Sequence, residues 1–344
     1  MQIAIPTVLD IQYGALEKLE ERCLEHGFRT LLLWCDAFTY TEVIPHLQWK
    51  HLYVQIEKIE DGKEVSQLAA DAYDLASVDA MAACGGGGVI DQGKYAAFLR
   101  GLPFISIPTS ASNDGFASTT CSLYQQGRRI SVPAAVPYAV IADLDVIQHT
   151  PEEMLLSGVG DVMSNIPALY DWQFEADAGV GRVHAFAAML SRNAVNSFIR
   201  TPMQDIRHPA FLKELVSALT MSGVSTVISG STAPISGSEH LLSHALDQEA
   251  ATPGRHGIQV GTAAYLMCLV HEHRSERLYK VFSRTGFFDW VRAHPLNRED
   301  WIRAVEAAPA IKPKRHTYLH EEAWRKKAIH LLETDAVLAE LFTP

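Results

Sequence analysis

Short apolar runs alternate with helix-like patterns through the first 150 residues of the chain. The run over 29–35 is continuously apolar and of strand length, and it follows a segment, 13–26, whose apolar residues recur at helical spacing. The same criteria predict strands over 51–59, 78–84, 103–108 and 138–142, and helices over 63–75 and 90–99. Such alternation predicts a mainly parallel sheet with helices on both faces.

The pattern changes near residue 150. Thr150-Pro-Glu-Glu has the features of a helix start, with Thr150 as the N-cap and a proline at the first helical position. Beyond it the sequence predicts helices over 152–175, 182–199, 209–227, 239–246, 257–273, 276–285, 298–307 and 321–341. We therefore expect an α/β plus all-α protein, with an α/β domain over 1–150 and a helical domain over 151–344.

The composition and charge of the chain limit the classes of function that we consider. The 344 residues are 48% hydrophobic, ample for a core, and the net charge of -11 argues against a nucleic-acid partner. No apolar run reaches the roughly 20 residues of a membrane span, and the first residues lack the features of a secretory signal. The five cysteines are dispersed and include no Cys-x-x-Cys, which argues against disulfides and thiolate zinc sites. We expect a cytoplasmic protein.

Four consecutive glycines separate a predicted strand from a predicted helix. They lie in Cys84-Gly-Gly-Gly-Gly-Val-Ile-Asp-Gln-Gly-Lys94. Glycines let the backbone turn tightly and approach a ligand, and the free N–H groups of the following helix suit a pyrophosphate. A tight connection is the alternative. The run is neither Gly-x-Gly-x-x-Gly nor a P-loop, but its context favours phosphate binding.

Polar residues follow two other predicted strands. Asp36 ends the run at 29–35, where a carboxylate can accept hydrogen bonds from a ribose and so favour NAD over NADP, or can be a solvated loop residue. The loop Pro108-Thr-Ser-Ala-Ser-Asn-Asp-Gly-Phe-Ala-Ser118 is dense in hydroxyls and contains Asp114. Loops at the carboxyl ends of parallel strands are where ligands bind in open α/β sheets.

Histidines cluster between residues 240 and 256. His240 and His244 are four residues apart, so on a helix they lie on one face, and His256 precedes a glycine at the start of the next predicted helix. Two imidazoles and one carboxylate can hold a divalent ion with an open position, whereas a chance pair among 15 histidines is common. Asp161, in an apolar helical context, is the candidate carboxylate because a buried carboxylate needs a partner.

Several motifs resemble the sn-glycerol-1-phosphate dehydrogenases, within the group of iron-containing alcohol dehydrogenases and dehydroquinate synthases. They are the glycine run to Lys94, the loop to Ser118, Gly160-Asp161, Ser236-Gly-Ser-Glu-His-Leu-Leu-Ser-His244 and His256-Gly-Ile-Gln-Val-Gly261. Their order along residues 29 to about 265 is that of the family. The resemblance implies a Rossmann-like nucleotide-binding domain and a helical domain.

The resemblance also implies roles for individual residues. Asp161, His240 and His256 would hold one divalent ion, Zn²⁺ or alternatively Fe²⁺ or Ni²⁺. Asp114, Asp161 and His244 would contact substrate, with His244 assisting proton transfer or only packing beside the metal helix. NAD or NADP would be bound by residues of the glycine run and the second loop, together with Asp36: Gly86, Gly87, Gly88, Val89, Ile90, Thr109, Ser110, Ser112 and Ser118.

The expected reaction interconverts dihydroxyacetone phosphate and sn-glycerol 1-phosphate, in a protein that forms a homo-oligomer. No phosphate-binding cluster is evident, and the candidate cations are Arg182, Arg192, Arg200, Lys213 and Arg255. Alternatives are a dehydrogenase of glycerol or another alcohol, a dehydroquinate-synthase-like cyclase, and a nucleotide-binding regulatory protein. A glutamate in place of Asp161 is usual in the cyclases, and a degenerate regulator would not need all three metal ligands.

Overall fold

The structure, a computed structural model, describes residues 5–250 and 254–343. The chain forms two compact units. The first comprises Met1–Pro151 and Leu212–Val227, and the second comprises Glu152–Phe211 and Ile228–Pro344. The sequence does not predict that Leu212–Val227 clusters with the first unit. The division into domains over 1–150 and 151–344 therefore stays a prediction.

A six-stranded parallel sheet forms the centre of the first unit, in the order β1-β8-β5-β4-β2-β3. Its strands are β1 (Val8–Gln12), β2 (Thr30–Cys35), β3 (Tyr53–Lys58), β4 (Ala80–Gly85), β5 (Phe104–Pro108) and β8 (Ala139–Asp143). The strand β4 is buried along its whole length and β2 nearly so, as expected of central parallel strands covered on both faces. Pairs such as Leu33 with Ala82 continue the core from strand to strand.

Helices and a hairpin complete this unit. The helices are α1 (Leu19–Glu25), α2 (Ala37–Glu42), α3 (Val65–Asp74), α4 (Gly87–Arg100) and α5 (Leu144–Ile147), and the hairpin pairs β6 (Thr120–Gln125) with β7 (Arg128–Pro133). The predicted parallel sheet is confirmed. Neither β1 nor the hairpin was predicted, because β1 is half polar and the hairpin strands are short and half exposed.

The second unit is mainly helical, as predicted. Its helices are α6 (Glu152–Asp177), α7 (Ala185–Arg200), α9 (Ser238–Glu249), α10 (His256–Val270), α11 (Ser275–Arg284), α12 (Phe287–Ala293), α13 (Arg298–Ile311), α14 (Glu322–Thr334) and α15 (Ala336–Leu341). Two-residue strands, β9 (Leu296–Asn297) and β10 (Phe342–Thr343), pair in parallel. The helix predicted over 321–341 is two helices, because Asp335 breaks it and caps α15 by accepting from the Val337 and Leu338 N–H groups, each at 3.0 Å.

Among the described residues, one helix is long and apolar enough to cross a membrane. It is α8 (Pro209–Ser229), with a mean hydropathy of 1.3, and 67% of that window is buried inside the protein. Helices at the core of a folded domain share this composition. The helix was predicted over nearly the same residues, and its burial is that of a core element.

Candidate functional site

The glycine run forms the turn between β4 and α4. Gly86 is the N-cap of α4, and the N–H of Ile90 donates to its carbonyl oxygen at 3.1 Å. The N–H groups of Gly87, Gly88 and Val89 precede this first intrahelical bond, so they are the orphan donors of the helix start. The side chains of Val89 and Ile90 are buried and the Ile90 N–H is bonded within the helix, so of these two residues only Val89 has an N–H to offer a ligand. A phosphate would therefore meet N–H groups at this turn.

Asp36 lies beside the same turn. It is the N-cap of α2, and its Oδ1 accepts from the Thr39 N–H at 2.6 Å. A Cβ placed on Gly85 would lie 2.9 Å from Asp36 Oδ2, so the carboxylate and the glycine run are neighbours. The fold thus brings together the two features that the sequence offered for nucleotide binding. The N-cap hydrogen bond occupies Oδ1 of Asp36, and Oδ2 is the carboxylate oxygen that faces Gly85.

The second polar loop begins against the glycine run. The Thr109 N–H donates to the Gly85 carbonyl oxygen at 3.0 Å, which ties the ends of β4 and β5 together. Ser110 and Ser112 are half-buried in this loop. Ser118 lies beneath it with 3% exposure, and its hydroxyl is directed to the carbonyl oxygens of Gly115 and Thr120. Thr109 is thus held next to the turn through its backbone.

Asp114 lies in this loop beside a buried charged cluster that the sequence did not predict. Lys94, on α4, is 1% exposed; its ammonium lies 3.1 Å from Asp91 Oδ1 and donates to the Gly115 carbonyl oxygen at 2.6 Å. The other oxygen of Asp91 accepts from the Ser122 N–H at 2.9 Å. Lys94 therefore joins the helix that follows the glycine run to the loop that carries Asp114.

Burial raises the pKa of Asp114 to about 7; the charge of Lys94 opposes this shift and that of Asp91 adds to it. An acid whose pKa is higher in the folded state than in the unfolded state binds its proton more tightly when folded, so it stabilises the fold below the raised pKa. The contribution is full at acidic pH and is lost as pH rises from about 4 to about 7.

We therefore expect the stability of the wild-type protein relative to Asp114→Asn to fall by on the order of 1 to 4 kcal/mol between pH 4 and pH 8. Chemical denaturation of both proteins across this range measures the difference. Asp74→Asn, at an exposed position of α3, is the matched control and should parallel the wild type at every pH. If the difference in free energy of unfolding between wild type and Asp114→Asn does not change with pH, the raised pKa is contradicted.

Three predicted metal ligands converge in the second unit. Asp161 comes from α6, His240 from α9 and His256 from the first residue of α10. Asp161 Oδ1 lies 3.7 Å from His240 Nε2 and 3.8 Å from His256 Nε2, and one ligand atom from each residue lies within 4.8 Å of the others. These separations exceed hydrogen-bond length and approach the roughly 3.4 Å between two ligands of one tetrahedral ion.

Hydrogen bonds orient both imidazoles. Glu239 Oε1 accepts from His240 Nδ1 at 2.9 Å and also from the Gly237 N–H at 2.7 Å. Ser243 donates its hydroxyl hydrogen to Gln259 Oε1 at 2.7 Å, so its oxygen accepts from His256 Nδ1 at 3.0 Å. With Nδ1 protonated in each ring, the Nε2 of each ring presents its lone pair next to Asp161.

The arrangement fits a divalent ion. Two neutral imidazoles and one carboxylate make the three-ligand set typical of catalytic sites that keep a position open. Burial is the main cause that lowers the pKa of His240 to about 3, with smaller contributions from Lys312 and Arg315, so its ring is neutral and able to coordinate near neutral pH. His256 is the most accessible ligand, with a side chain 34% exposed, whereas Asp161 is only 5% exposed.

His244 lies one turn of α9 beyond His240. Its ring centre is 6.4 Å from that of His240 and 5.9 Å from that of His256. Burial lowers the pKa of His244 well below its usual value, and the charges of His256, Lys312 and His240 lower it further. The structure thus brings His244 to the edge of the three-ligand cluster as a neutral imidazole.

Glycines bring α6 and α10 close enough for this cluster to form. A Cβ on Gly160 would overlap the carbonyl oxygen of Gly257, and a Cβ on Gly257 would overlap Ser157. The Gly257 N–H also donates to Ser157 Oγ at 3.1 Å. Asp161 follows Gly160, and His256 precedes Gly257. The close backbone approach at these glycines therefore sets the distance between the two ligands.

Glu239 is a positioning residue that the sequence did not single out. It is fully buried, and burial raises its pKa to about 7. Replacing it by glutamine should weaken divalent-ion affinity about 10- to 100-fold, because an orienting carboxylate is lost from a ligand histidine. Competition with a chromophoric chelator measures this, and Glu249→Gln, at the exposed end of α9, is the matched control. Equal affinities in wild type and Glu239→Gln would contradict the role.

Ser243 and Gln259 were missed for the same reason as Glu239. Each lies next to, or one turn from, a predicted ligand, but spacing does not tell which side chain meets which ring nitrogen. The available signal was their polarity inside otherwise apolar stretches of α9 and α10, since buried polar groups need partners. Lys94 gave a similar signal, a charged residue among buried positions of α4.

The chain is similar in sequence and in fold to several known proteins. The sequence profile of the iron-containing alcohol dehydrogenases matches residues 10–151. The chain is 36% identical over 247 residues to a glycerol-1-phosphate dehydrogenase [NAD(P)+] of Thermococcus kodakarensis, covering 72% of this chain and 70% of that protein. It is 36% identical over 261 residues to the same-named protein of Methanosarcina barkeri, covering 75% and 72%. Its fold is similar to that of a probable glycerol dehydrogenase from Sinorhizobium meliloti, with a TM-score of 0.75 at 18% identity over 96% of this chain and 97% of that one.

Proposed function

Because the chain belongs to the glycerol-1-phosphate dehydrogenase family, among the iron-containing alcohol dehydrogenases, we propose that it interconverts dihydroxyacetone phosphate and sn-glycerol 1-phosphate with NAD(H) or NADP(H). The observation that carries the proposal is the convergence of Asp161, His240 and His256. In the reducing direction the bound cofactor would supply the hydride for the carbonyl carbon, and the carbonyl oxygen would take up a proton.

The cofactor is held by the first unit in this proposal. The N–H groups at the start of α4, from Gly87 to Val89, bind the pyrophosphate, and Thr109, Ser110 and Ser112 also contact the cofactor. The buried hydroxyl of Ser118 instead holds the loop in place. Asp36 Oδ2 accepts from the adenosine ribose, which favours NAD because a 2′-phosphate would be repelled. The support is that Asp36 and Thr109 both lie against Gly85.

Asp161, His240 and His256 hold one divalent ion, for which Zn²⁺ is our proposal and Fe²⁺ and Ni²⁺ are the alternatives. When bound, the ion supplies a Lewis acid for the substrate oxygen. Glu239 and Ser243 keep both imidazoles in the tautomer that presents Nε2. Both partners act through the ligand rings and do not touch the substrate.

His244 and Asp114 are the proposed groups for proton transfer and substrate contact. A neutral His244 can accept the alcohol proton in the oxidising direction and return it in the reducing direction. The lowered pKa of His244 leaves the ring unprotonated, which supports its role as the proton acceptor in the oxidising direction. Asp114, whose pKa burial raises to about 7, can hydrogen-bond a substrate hydroxyl in either protonation state. A homo-oligomer and a cytoplasmic location stay predictions.

An assay of the purified protein tests the function. We expect oxidation of NADH or NADPH with dihydroxyacetone phosphate, loss of that activity after complete chelation, and recovery on adding back Zn²⁺, Fe²⁺ or Ni²⁺ in separate samples. In the reverse direction, glycerol 1-phosphate should be oxidised in preference to glycerol. Full activity of the metal-free protein would overturn the mechanism. Phosphate release without net cofactor oxidation would indicate a cyclase, and cofactor binding without any turnover would indicate a regulatory protein.

A further inference from the structure

The loop that follows α13 is fixed against the start of α9, the helix that carries His240 and His244. Arg315 makes the attachment: its Nε donates to both oxygens of Glu175, at 2.7 and 3.0 Å. Its Nη1 donates to the Ser236 carbonyl oxygen at 3.1 Å, two residues before α9 begins. The helices α9 and α13 also pack together. Residues at the end of α13 are therefore held near the histidine cluster.

Lys312 is the first residue of this loop, and its backbone is held from two sides. Its carbonyl oxygen accepts from the Arg315 N–H at 3.0 Å and from His320 Nε2 at 3.2 Å. His320 Nδ1 accepts from the Thr317 N–H at 3.0 Å, so it is the Nε2 that carries the hydrogen. The position from which the Lys312 side chain extends is thus defined by the fold.

Lys312 is half-buried, and its ammonium lacks a paired carboxylate. Within residues 5–250 and 254–343, no carboxylate lies within ion-pair distance of its Nζ, whereas nearby Arg315 is neutralised by Glu175. Burial lowers the pKa of Lys312, the charge of Arg315 lowers it further, and Glu239 acts in the opposite sense. A partly desolvated cation without a paired carboxylate is stabilised by an anion, which a bound ligand could supply.

Lys312 and Arg315 lie in the loop that is attached next to the start of α9. Arg315 in this loop is bonded to the Ser236 carbonyl oxygen, four residues before His240, and α13 packs against α9. Arg315 adds a second donor, because its Nη2 is buried without a hydrogen-bond partner in the described part of the chain. A cation and a free guanidinium N–H in one place suit the oxygens of a phosphate.

The cationic residues that the sequence offered as candidates are less suitable for binding a phosphate. Arg255 pairs with Glu153 at 2.7 Å and has a side chain 50% exposed. Arg182, Arg192, Arg200 and Lys213 are exposed on the surface of their units. An exposed cation is already solvated and gains little from a phosphate.

We propose that Lys312, assisted by Arg315, binds the phosphate group of the substrate, and so selects a phosphate monoester over the unphosphorylated ketone or polyol. The proposal rests on the proposed function, since it places the phosphate end of that substrate beside the Asp161–His240–His256 cluster. Lys312 is then a specificity residue that distinguishes this enzyme from a dehydrogenase of free glycerol.

Steady-state kinetics of Lys312→Met test the proposal. We expect kcat/KM for dihydroxyacetone phosphate to fall about 10- to 100-fold, mainly through KM, because a charged hydrogen bond to the phosphate is lost. The rate with unphosphorylated dihydroxyacetone, the affinity for the reduced cofactor and the bound metal should stay at wild-type values. As KM rises, inorganic phosphate should also become a weaker competitive inhibitor, because it occupies the same position as the phosphate of the substrate. Lys312→Arg should restore most of the discrimination, because it keeps a cation at the position.

Lys314→Met is the matched control, because this lysine is exposed in the same loop and should behave as wild type. Equal losses with the phosphorylated and unphosphorylated ketones, or no loss with either, would overturn the role of Lys312. Failure of the arginine variant to restore activity in a folded protein would count against it too. A wild-type protein that does not reduce dihydroxyacetone phosphate would instead refute the proposed function, so the two failures are distinguishable.

Discussion

Substitution of Asp161, His240 or His256 by alanine will remove the divalent ion and lower kcat/KM by about three orders of magnitude or more. The expectation follows from a Lewis acid worth several kcal/mol to the transition state, with each 1.4 kcal/mol equal to a factor of ten. Each residue supplies one ligand atom, and no other group joins the cluster in the part of the chain that the structure describes. Two ligands with water do not retain an ion as three do.

The measurements are metal content by elemental analysis and steady-state kinetics on the same samples. His294→Ala is a suitable control, because this histidine of the second unit is exposed and its ring contacts Trp290 of the same helix end, by a hydrogen bond to the carbonyl oxygen and by stacking. Wild-type metal content in all three ligand variants would refute the site. If a variant loses activity but retains the metal, the substituted residue contacts the substrate and is not a metal ligand. This outcome matters most for Asp161, which is predicted to have both roles.

Gly160→Ala will destabilise the second unit and disrupt the Asp161–His240–His256 cluster, although the substitution removes no ligand atom. The new methyl group would overlap the carbonyl oxygen of Gly257, and the Cα of Gly261 lies only 3.1 Å from its position. Backbone atoms cannot move aside as a flexible side chain can, so α6 and α10 must separate. Overpacking of this kind costs about 3 kcal/mol or more, and the midpoint of unfolding should fall by about 10 °C.

Thermal unfolding of the metal-free wild type and variant measures the packing effect separately from any loss of bound metal. We also expect weaker metal binding, because Asp161 and His256 flank the two glycines in contact. Gly254→Ala is the control, since a Cβ there meets Gln259 only at ordinary contact distance, 3.7 Å. A midpoint within about 2 °C of the wild type for Gly160→Ala would show that the helices can part at little cost.

Local sequence patterns were sufficient for most of the fold. The strands β2, β4, β5 and β8 lie within two residues of their predicted bounds because each is a short apolar run buried on both faces. The strand β1 was missed because Asp10 interrupts its apolar pattern, and α12 because its seven residues are too few to show a period. The break at Asp335 was missed because the apolar pattern continues through it, whereas the side chain bonds to the backbone of α15.

The residue types of the site were also evident in the sequence. Histidines four apart share a helix face whatever the fold, and a carboxylate in an apolar helix needs a partner, so the residue pattern alone singles out Asp161, His240 and His256. The motif order along the chain supplied the family, which the 36% identity to the Thermococcus kodakarensis protein confirms. These properties are local or sequential, and a single chain displays them directly.

Only the tertiary structure decided which groups meet. The backbone contact of Gly160 with Gly257 sets the spacing of Asp161 and His256, and it depends on two helices far apart in sequence. The same holds for the tautomers set through Glu239 and Ser243, and for Lys312, whose loop Arg315 fixes to Ser236 just before α9. Periodicity reports which face of an element is buried, but the partner on that face is chosen by packing between elements.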